Sequence, residues 1–207
     1  MTQDDRGLTR SGLLSASKFF STREFLRTYD SVEISLFTPK VALVPLQFYR
    51  RGNERETLSR TVKIALEDSV KAVALPEFGA VLLYSLDIGE SLSLAARNSV
   101  LTTAGERVEV LPEMFFMLKD LRKIKDYNKI VASYADSCLY LAVAQGGNLL
   151  LSNVYEASDF TTAEYFIFLA MKNLQLNPEL SSIFFRTELS EDMKLSLYRY
   201  FKSVEEF

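Results

Sequence analysis

Between Ile130 and Leu176 the apolar residues fall into blocks whose lengths and spacing can be read directly. Ile130–Tyr134 and Cys138–Ala144 are apolar runs of strand length, separated by the tight turn Ala135-Asp136-Ser137. Gly146-Gly147-Asn148 supplies residues that adopt positive φ, which predicts a hairpin into a third strand, Leu149–Tyr155. Then Phe160-Thr161-Thr162-Ala163-Glu164-Tyr165 places a hydroxyl, a glutamate three residues on and a flanking apolar pair in the order of a capping box with a hydrophobic staple. It predicts a helix to about Leu176, stopped before Pro178.

The remaining pattern predicts more hairpins and helices. Phe20-Ser21-Thr22-Arg23-Glu24-Phe25 carries the same cap-and-staple signature. Val32–Leu36 alternates like a half-buried strand, turns at Thr38-Pro39-Lys40 and returns as Val41–Val44, with Pro45 ending it. Arg50–Glu56 reads as a charged loop. Thr61–Leu66 and Val70–Leu75 read as a second hairpin, turned at Glu67-Asp68-Ser69. Pro76 suits the first turn of a helix reaching about Leu86. The segment from Ser91 to Thr103 fits no single pattern. Met114, Met117, Leu118, Leu121 and Ile124 follow helical spacing between Pro112 and Tyr127. Ser182–Arg186 is a short strand. Ser190-Glu191-Asp192 caps a last helix with the stripe Met193, Leu197, Tyr200, Phe201 and Val204. Meanders and helices recur in two halves, which predicts an α/β fold with mixed sheets in two lobes. Residues 1–12 are polar and expected to be a disordered N-terminus, with a first lobe over 13–127 and a second over 128–207.

Composition narrows the chemistry. The chain has 207 residues, 48% of them hydrophobic, enough for real cores. With 24 basic and 27 acidic residues its net charge is -3, and its basic clusters are interleaved with acids, so no nucleic-acid partner is expected. Histidine is absent, which removes histidine bases, Ser-His and Cys-His pairs and histidine metal ligands together. Cys138 is the single cysteine and sits in an apolar run, where it reads as a small buried hydrophobe. No metal site and no catalytic set emerge. No apolar run reaches the roughly 20 residues of a membrane span, and the polar start does not resemble a signal peptide, so a cytoplasmic protein is expected.

Three short motifs could approach an anion. Asp87-Ile88-Gly89-Glu90-Ser91 has the acid, glycine and hydroxyl of the phosphate loops of sugar-kinase, chaperone and actin-like ATPases. It also fits the end of the preceding helix, with Gly89 as its cap. Asp136-Ser137 lies in the right context, between two apolar strands, but without glycines. Asp in a β-turn is the favoured account of it. Gln145-Gly146-Gly147-Asn148 is explained by its flanking strands. A nuclease centre would need several acids converging on metal ions, with Asp136 and Asp159 as the available pair.

Leu43-Val44-Pro45 followed by Phe48, Val73-Ala74-Leu75-Pro76, Asn153-Val154-Tyr155, Glu164-Tyr165-Phe166 and Leu174-Gln175-Leu176 together resemble an uncharacterised bacterial domain-of-unknown-function family with an actin-like ATPase fold. The resemblance covers roughly residues 20 to 205 and implies two lobes, each an RNase H-like sheet with helices. It also implies a distant likeness to actin-like pilus and secretion assembly components. Members of the family begin with an extra strand pair before the helix near Ser21, which this chain is expected to lack, leaving the first lobe incomplete. The expected function is that of a non-catalytic actin-like interaction or assembly protein, with a protein partner or self-association. The alternative is a nucleotide-binding ATPase that takes ATP-Mg through Asp87, Gly89, Ser91, Asp136 and Ser137.

Overall fold

The structure, a computed structural model, describes residues 2–3, 9–10, 29–86, 93–95, 102–105 and 108–207. The elements run β1 (Thr2–Gln3), β2 (Thr9–Arg10), β3 (Ile34–Leu36), β4 (Val41–Pro45), α1 (Glu54–Ser59), β5 (Val70–Leu75), β6 (Ala80–Ser85), β7 (Val110–Pro112) and α2 (Glu113–Leu121). They continue with β8 (Asn128–Ala135), β9 (Cys138–Gln145), β10 (Asn148–Glu156), α3 (Phe160–Asn173), β11 (Ser182–Phe185), α4 (Glu191–Tyr198) and β12 (Ser203–Glu206). The antiparallel pair β1–β2 lies within the stretch expected to be disordered and ahead of Ser21, where no strands were predicted. The helix predicted at Ser21 and the Asp87–Ser91 motif lie outside the described residues.

The C-terminal half is a five-stranded sheet of order β10-β9-β8-β11-β12. β8, β9 and β10 form the predicted antiparallel meander, and β11 and β12 then add in parallel on the other side of β8. This is the RNase H-like order that the family resemblance implied. Strand β8 is central, and its residues alternate between two cores. Ile130 and Ala132 face α3 and α4 in a core with Leu141, Ile167, Ile183, Phe185 and Leu197. Val131 faces α2 in a second core with Met114, Met117, Leu118, Leu121 and Tyr140. Each fully buried side chain of this size contributes about 1.5–3 kcal/mol. That second core also holds Leu75 and Leu82 of the three-stranded antiparallel sheet β4-β6-β5, so this sheet and α2 share one core against β8 and β9.

The N-terminal half departs from the pattern reading in three places. Helix was expected from Pro76 to about Leu86; instead Pro76–Phe78 is one 3-10 turn, Gly79 turns the chain at φ 58°, and Ala80–Ser85 is strand β6. All six residues of β6 are buried, because it is the middle strand and covered on both faces. Such a strand loses its alternation and reads like a buried helix. The second discrepancy is in pairing. β3 and β4 do not form a hairpin: β3 pairs in parallel with β7, and β4 pairs with β6. Thirdly, β5 takes β6 as its hairpin partner, and Thr61–Leu66 is not a strand. In that segment side chains replace a ladder. Arg55 of α1, in what was read as a charged loop, donates to the carbonyls of Ala65, Leu66 and Asp68, while Asp68 accepts from the Ala65 amide at 2.8 Å.

The C-terminal helices follow their caps. Ser190 accepts from the Met193 amide, as expected for α4. Val204 is buried as expected, but in strand β12 rather than on the helix stripe. For α3 the cap is Asp159, two residues earlier than the Thr161 signature, and it accepts from the Thr162 amide at 2.7 Å. Aspartate is the stronger N-cap, and the earlier start packs Phe160 against Tyr134 and Phe185.

Asp68 also binds Lys40 at 2.8 Å with its side chain 8% exposed. The Lys40 hydrogen bond holds its carboxyl below the usual range; burial pushes the other way, and the Ala65 amide adds to the lowering. A carboxyl with a depressed folded pKa stabilises the fold above its unfolded pKa of about 3.9. Asp68→Asn is therefore expected to cost about 1–3 kcal/mol near neutral pH. In urea titrations across pH, the gap between wild type and variant should close as pH falls below about 4 and through the lower folded value.

Candidate functional site

In open sheets with this kind of order, ligands bind beyond the carboxyl ends of the strands where the order reverses. Here that point lies between β8 and β11. Phe185, the last residue of β11, is level with Ala132 of β8, so Arg186 emerges beside Ser133. The Arg186 amide continues the ladder to the Ala132 carbonyl at 3.0 Å. Its guanidinium turns toward α2, over the ring of Phe116 at 5.4 Å.

There it meets two buried carboxylates. Arg186 Nε donates to Glu113 at 2.9 Å, Nη1 donates to Asp120, and Nη2 reaches Glu33 at 3.2 Å. Glu113 and Asp120 are each 2% exposed. Ser133 donates to the first Glu113 oxygen at 2.6 Å, Ser35 of β3 donates to the second, and Lys123 pairs with Asp120 at 2.6 Å. Burial works against the arginine's charge, but Glu113, Asp120 and Glu33 together outweigh it and raise the guanidinium pKa above its ordinary value. Donors that could otherwise meet a ligand at this crossover are thus turned onto the protein's own carboxylates.

The β8–β9 turn lies beyond the cluster. Asp136 and Ser137 are exposed and take φ 48° and 57°, the two left-handed residues of a type I′ hairpin turn. The Ser137 carbonyl accepts from the Ala157 amide at 2.8 Å, and Tyr134 is clasped on both sides, its amide donating to Thr187 and its hydroxyl to the Ala157 carbonyl. A phosphate cradle needs bare, unpaired backbone amides. This turn presents the Asp136 and Ser137 side chains and a carbonyl already engaged by the Ala157 amide. Asp87, Gly89 and Ser91 lie outside the described residues. Asp159 spends its carboxylate on capping α3, where the Thr162 amide holds it below the usual range.

Other groups add little chemistry. Burial, with Glu156 and Asp136 adding to it, pushes the Cys138 thiol up, away from the reactive thiolate. Among the described residues no three Asp, Glu or Cys side chains converge to hold a metal ion, and no helix is long and apolar enough to cross a membrane. Two surface depressions lie away from the turn. One of about 580 Å³ is lined by Pro45, Leu46, Gln47 and Gly79; another of about 270 Å³ lies by Asp30, Thr102, Glu109 and Phe116.

The sequence reading missed the Arg186 cluster. Its signal was present: Glu113 and Asp120 are seven residues apart, two helical turns, on the face that carries Met117. Two acids within an apolar stripe require a buried cation, and Arg186 follows directly on the apolar strand β11.

Two variants test this geometry. Arg186→Met strands two buried carboxylates and is expected to lose about 3–5 kcal/mol in urea unfolding, whereas replacing Arg186, Glu113 and Asp120 together by apolar residues of matched volume should recover most of that loss. Ser137→Gly removes a side chain from a left-handed position and makes an Asp-Gly type I′ turn, so thermal unfolding should show a gain of about 0.5–1 kcal/mol.

Comparison with known proteins places this arrangement. The family model described as "Protein of unknown function (DUF3822)" matches residues 5–204. No curated protein matches the sequence. A crystal structure from Bacteroides thetaiotaomicron, of a protein with actin-like ATPase fold and unknown function, superposes with a TM-score of 0.67 at 16% identity, covering 92% of this chain and 74% of that one. A PilM-PilN type IV pilus biogenesis complex is similar with a TM-score of 0.43 at 15% identity, covering 81% of this chain and 65% of that one. The chain belongs to the DUF3822 family of proteins of unknown function and has an actin-like ATPase fold.

Proposed function

We propose that this protein is a non-catalytic interaction or assembly protein of the cytoplasm that keeps an actin-like fold as a scaffold. The observation that supports this reading most directly is the occupied crossover. Arg186 sits where the order of the five-stranded sheet reverses and is held there by Glu113, Asp120 and Glu33. A nucleotide's phosphates brought to this point would have to displace Glu113 and Asp120 from the guanidinium, leaving buried carboxylates without their partner. The self-bonded β8–β9 turn points the same way. With the interior committed to its own contacts, recognition falls to the surface and to another protein.

Titration calorimetry with ATP-Mg decides between this reading and the nucleotide-binding alternative. No heat is expected with nucleotide at about 1 mM, a concentration that detects binding free energies down to about -4 kcal/mol. Saturable binding that disappears in Asp136→Ala would overturn the proposal and assign Asp136 and Asp87 to the metal side of an ATP site.

A further inference from the structure

Two exposed apolar surfaces of opposite charge stand on opposite sides of the five-stranded sheet. The first is a rigid prong at the end of β4. Pro45 starts a 3-10 turn whose Leu46 and Phe48 are 59% and 69% exposed. The turn is firmly held: the Leu46 amide donates to the Gly79 carbonyl at 2.8 Å, and the Tyr49 hydroxyl donates to Glu54 at 2.6 Å. Arg50 and Arg51 follow and are exposed. The neighbouring carboxylate, Glu54, is engaged by the Tyr49 hydroxyl and by the Gly52 amide at 2.9 Å. Beside the prong lies the depression of about 580 Å³ lined by Pro45, Leu46, Gln47 and Gly79.

The second surface is the outer face of α4. Leu197 of this helix is in the core, and the opposite face carries Leu195 and Tyr198, 61% and 52% exposed. Glu191 and Asp192, one turn before Leu195, are exposed on the same side, with Glu188 exposed just ahead of the helix. Lys194 leans away toward Glu206 at 3.1 Å and is 3.8 Å from Glu191. The face therefore pairs two large apolar groups with Glu188, Glu191 and Asp192 at its N-terminal end, and carries exposed Arg199 one turn after Leu195, so its negative charge is concentrated at the start of the helix. The prong belongs to the sheet that packs on the α2 side of β8, and α4 packs on the other side. Within one molecule the two surfaces cannot meet.

We propose that the occupant of the prong is the α4 face of a second copy of this chain, Phe48 and Leu46 packing on Leu195 and Tyr198 while Arg50 and Arg51 meet Glu191 and Asp192. Complementary charge around an apolar centre is what sets register and partner choice in such contacts. Because the two surfaces differ, the contact is heterologous, and a pair of bound copies leaves one free surface of each kind at its two ends, so the assembly grows head to tail. This rests on the assembly reading above, and the two fail separately: nucleotide binding by a self-associating chain removes only that reading, and a monomer without nucleotide binding removes only this inference.

Sedimentation velocity of the full chain tests it. Wild type should show an average mass that rises with concentration past the dimer. Phe48→Asp and Leu195→Asp, both at exposed positions, should each remain monomeric with unchanged thermal unfolding. Mixed in equal amounts they should form a 1:1 dimer that stops there, because the first variant keeps its α4 face and the second keeps its prong. Charge reversal of Arg50 and Arg51 to Glu should weaken assembly at least tenfold, and reversing Glu191 and Asp192 to Lys in the same chain should restore it. Three results overturn the proposal: a wild-type monomer at every concentration, single variants whose mixture forms no dimer, or a monomer that instead binds phosphatidylserine vesicles through Phe48.

Discussion

The junction of α2 with β3, β8 and β11 depends on the placement of two carboxylates, Glu113 and Asp120, inside the protein. Burying an ion costs several kcal/mol unless partners replace the water it loses. Arg186 supplies the charge, and Ser133, Ser35 and Lys123 supply the remaining hydrogen bonds. These groups come from β11, β8, β3 and the end of α2, so satisfying the acids requires all four elements to be in place together. Apolar packing around α2 tolerates small slides and rotations of the helix. The ionic cluster does not, since a shift of one residue would leave Glu113 or Asp120 facing hydrocarbon.

That constraint also shapes the crossover between β8 and β11. The crossover between β8 and β11 is the place where strand ends diverge and backbone groups are left for something to fill. Here the chain fills it with its own arginine, over a phenylalanine ring on one side and under carboxylates on the other. The cluster resembles a bound ligand in its demands, being polar, desolvated and held from several elements, but it is covalently part of the sheet.

The legibility of these features in the sequence depended on how local their causes were. β8, β9, β10, α3 and α4 were legible because turns and caps within a few residues decide them: Gly146 at φ 57°, with its amide on the Tyr127 carbonyl, and Ser190 on the Met193 amide. β6 was misread because both its faces are covered, and coverage is a property of the neighbours, not of the segment. The parallel pairing of β3 with β7 joins residues such as Ile34 and Val110 across the chain, and no local pattern encodes it. The Arg186 cluster failed to show for a related reason. Glu113 is a first-turn acid, favourable to the helix dipole wherever it sits, and only the sheet packed against it makes that acid buried.

With Glu113 and Asp120 so fully partnered inside, the exposed apolar residues become more telling. Phe48 and Leu46 lie outside both large cores, although placing side chains of this size in a core is worth about 1.5–3 kcal/mol each. They are not loose ends either, since the 3-10 turn that carries them is tied to Gly79 and braced through Tyr49 and Glu54. Rigidity of that kind lowers the entropy lost on contact with a partner. The same chain that spends its buried arginine on closing the crossover leaves Arg50 and Arg51 in solvent beside two apolar groups. The informative chemistry of the surface lies at the end of β4 and the back of α4, where apolar area and charge remain to be matched.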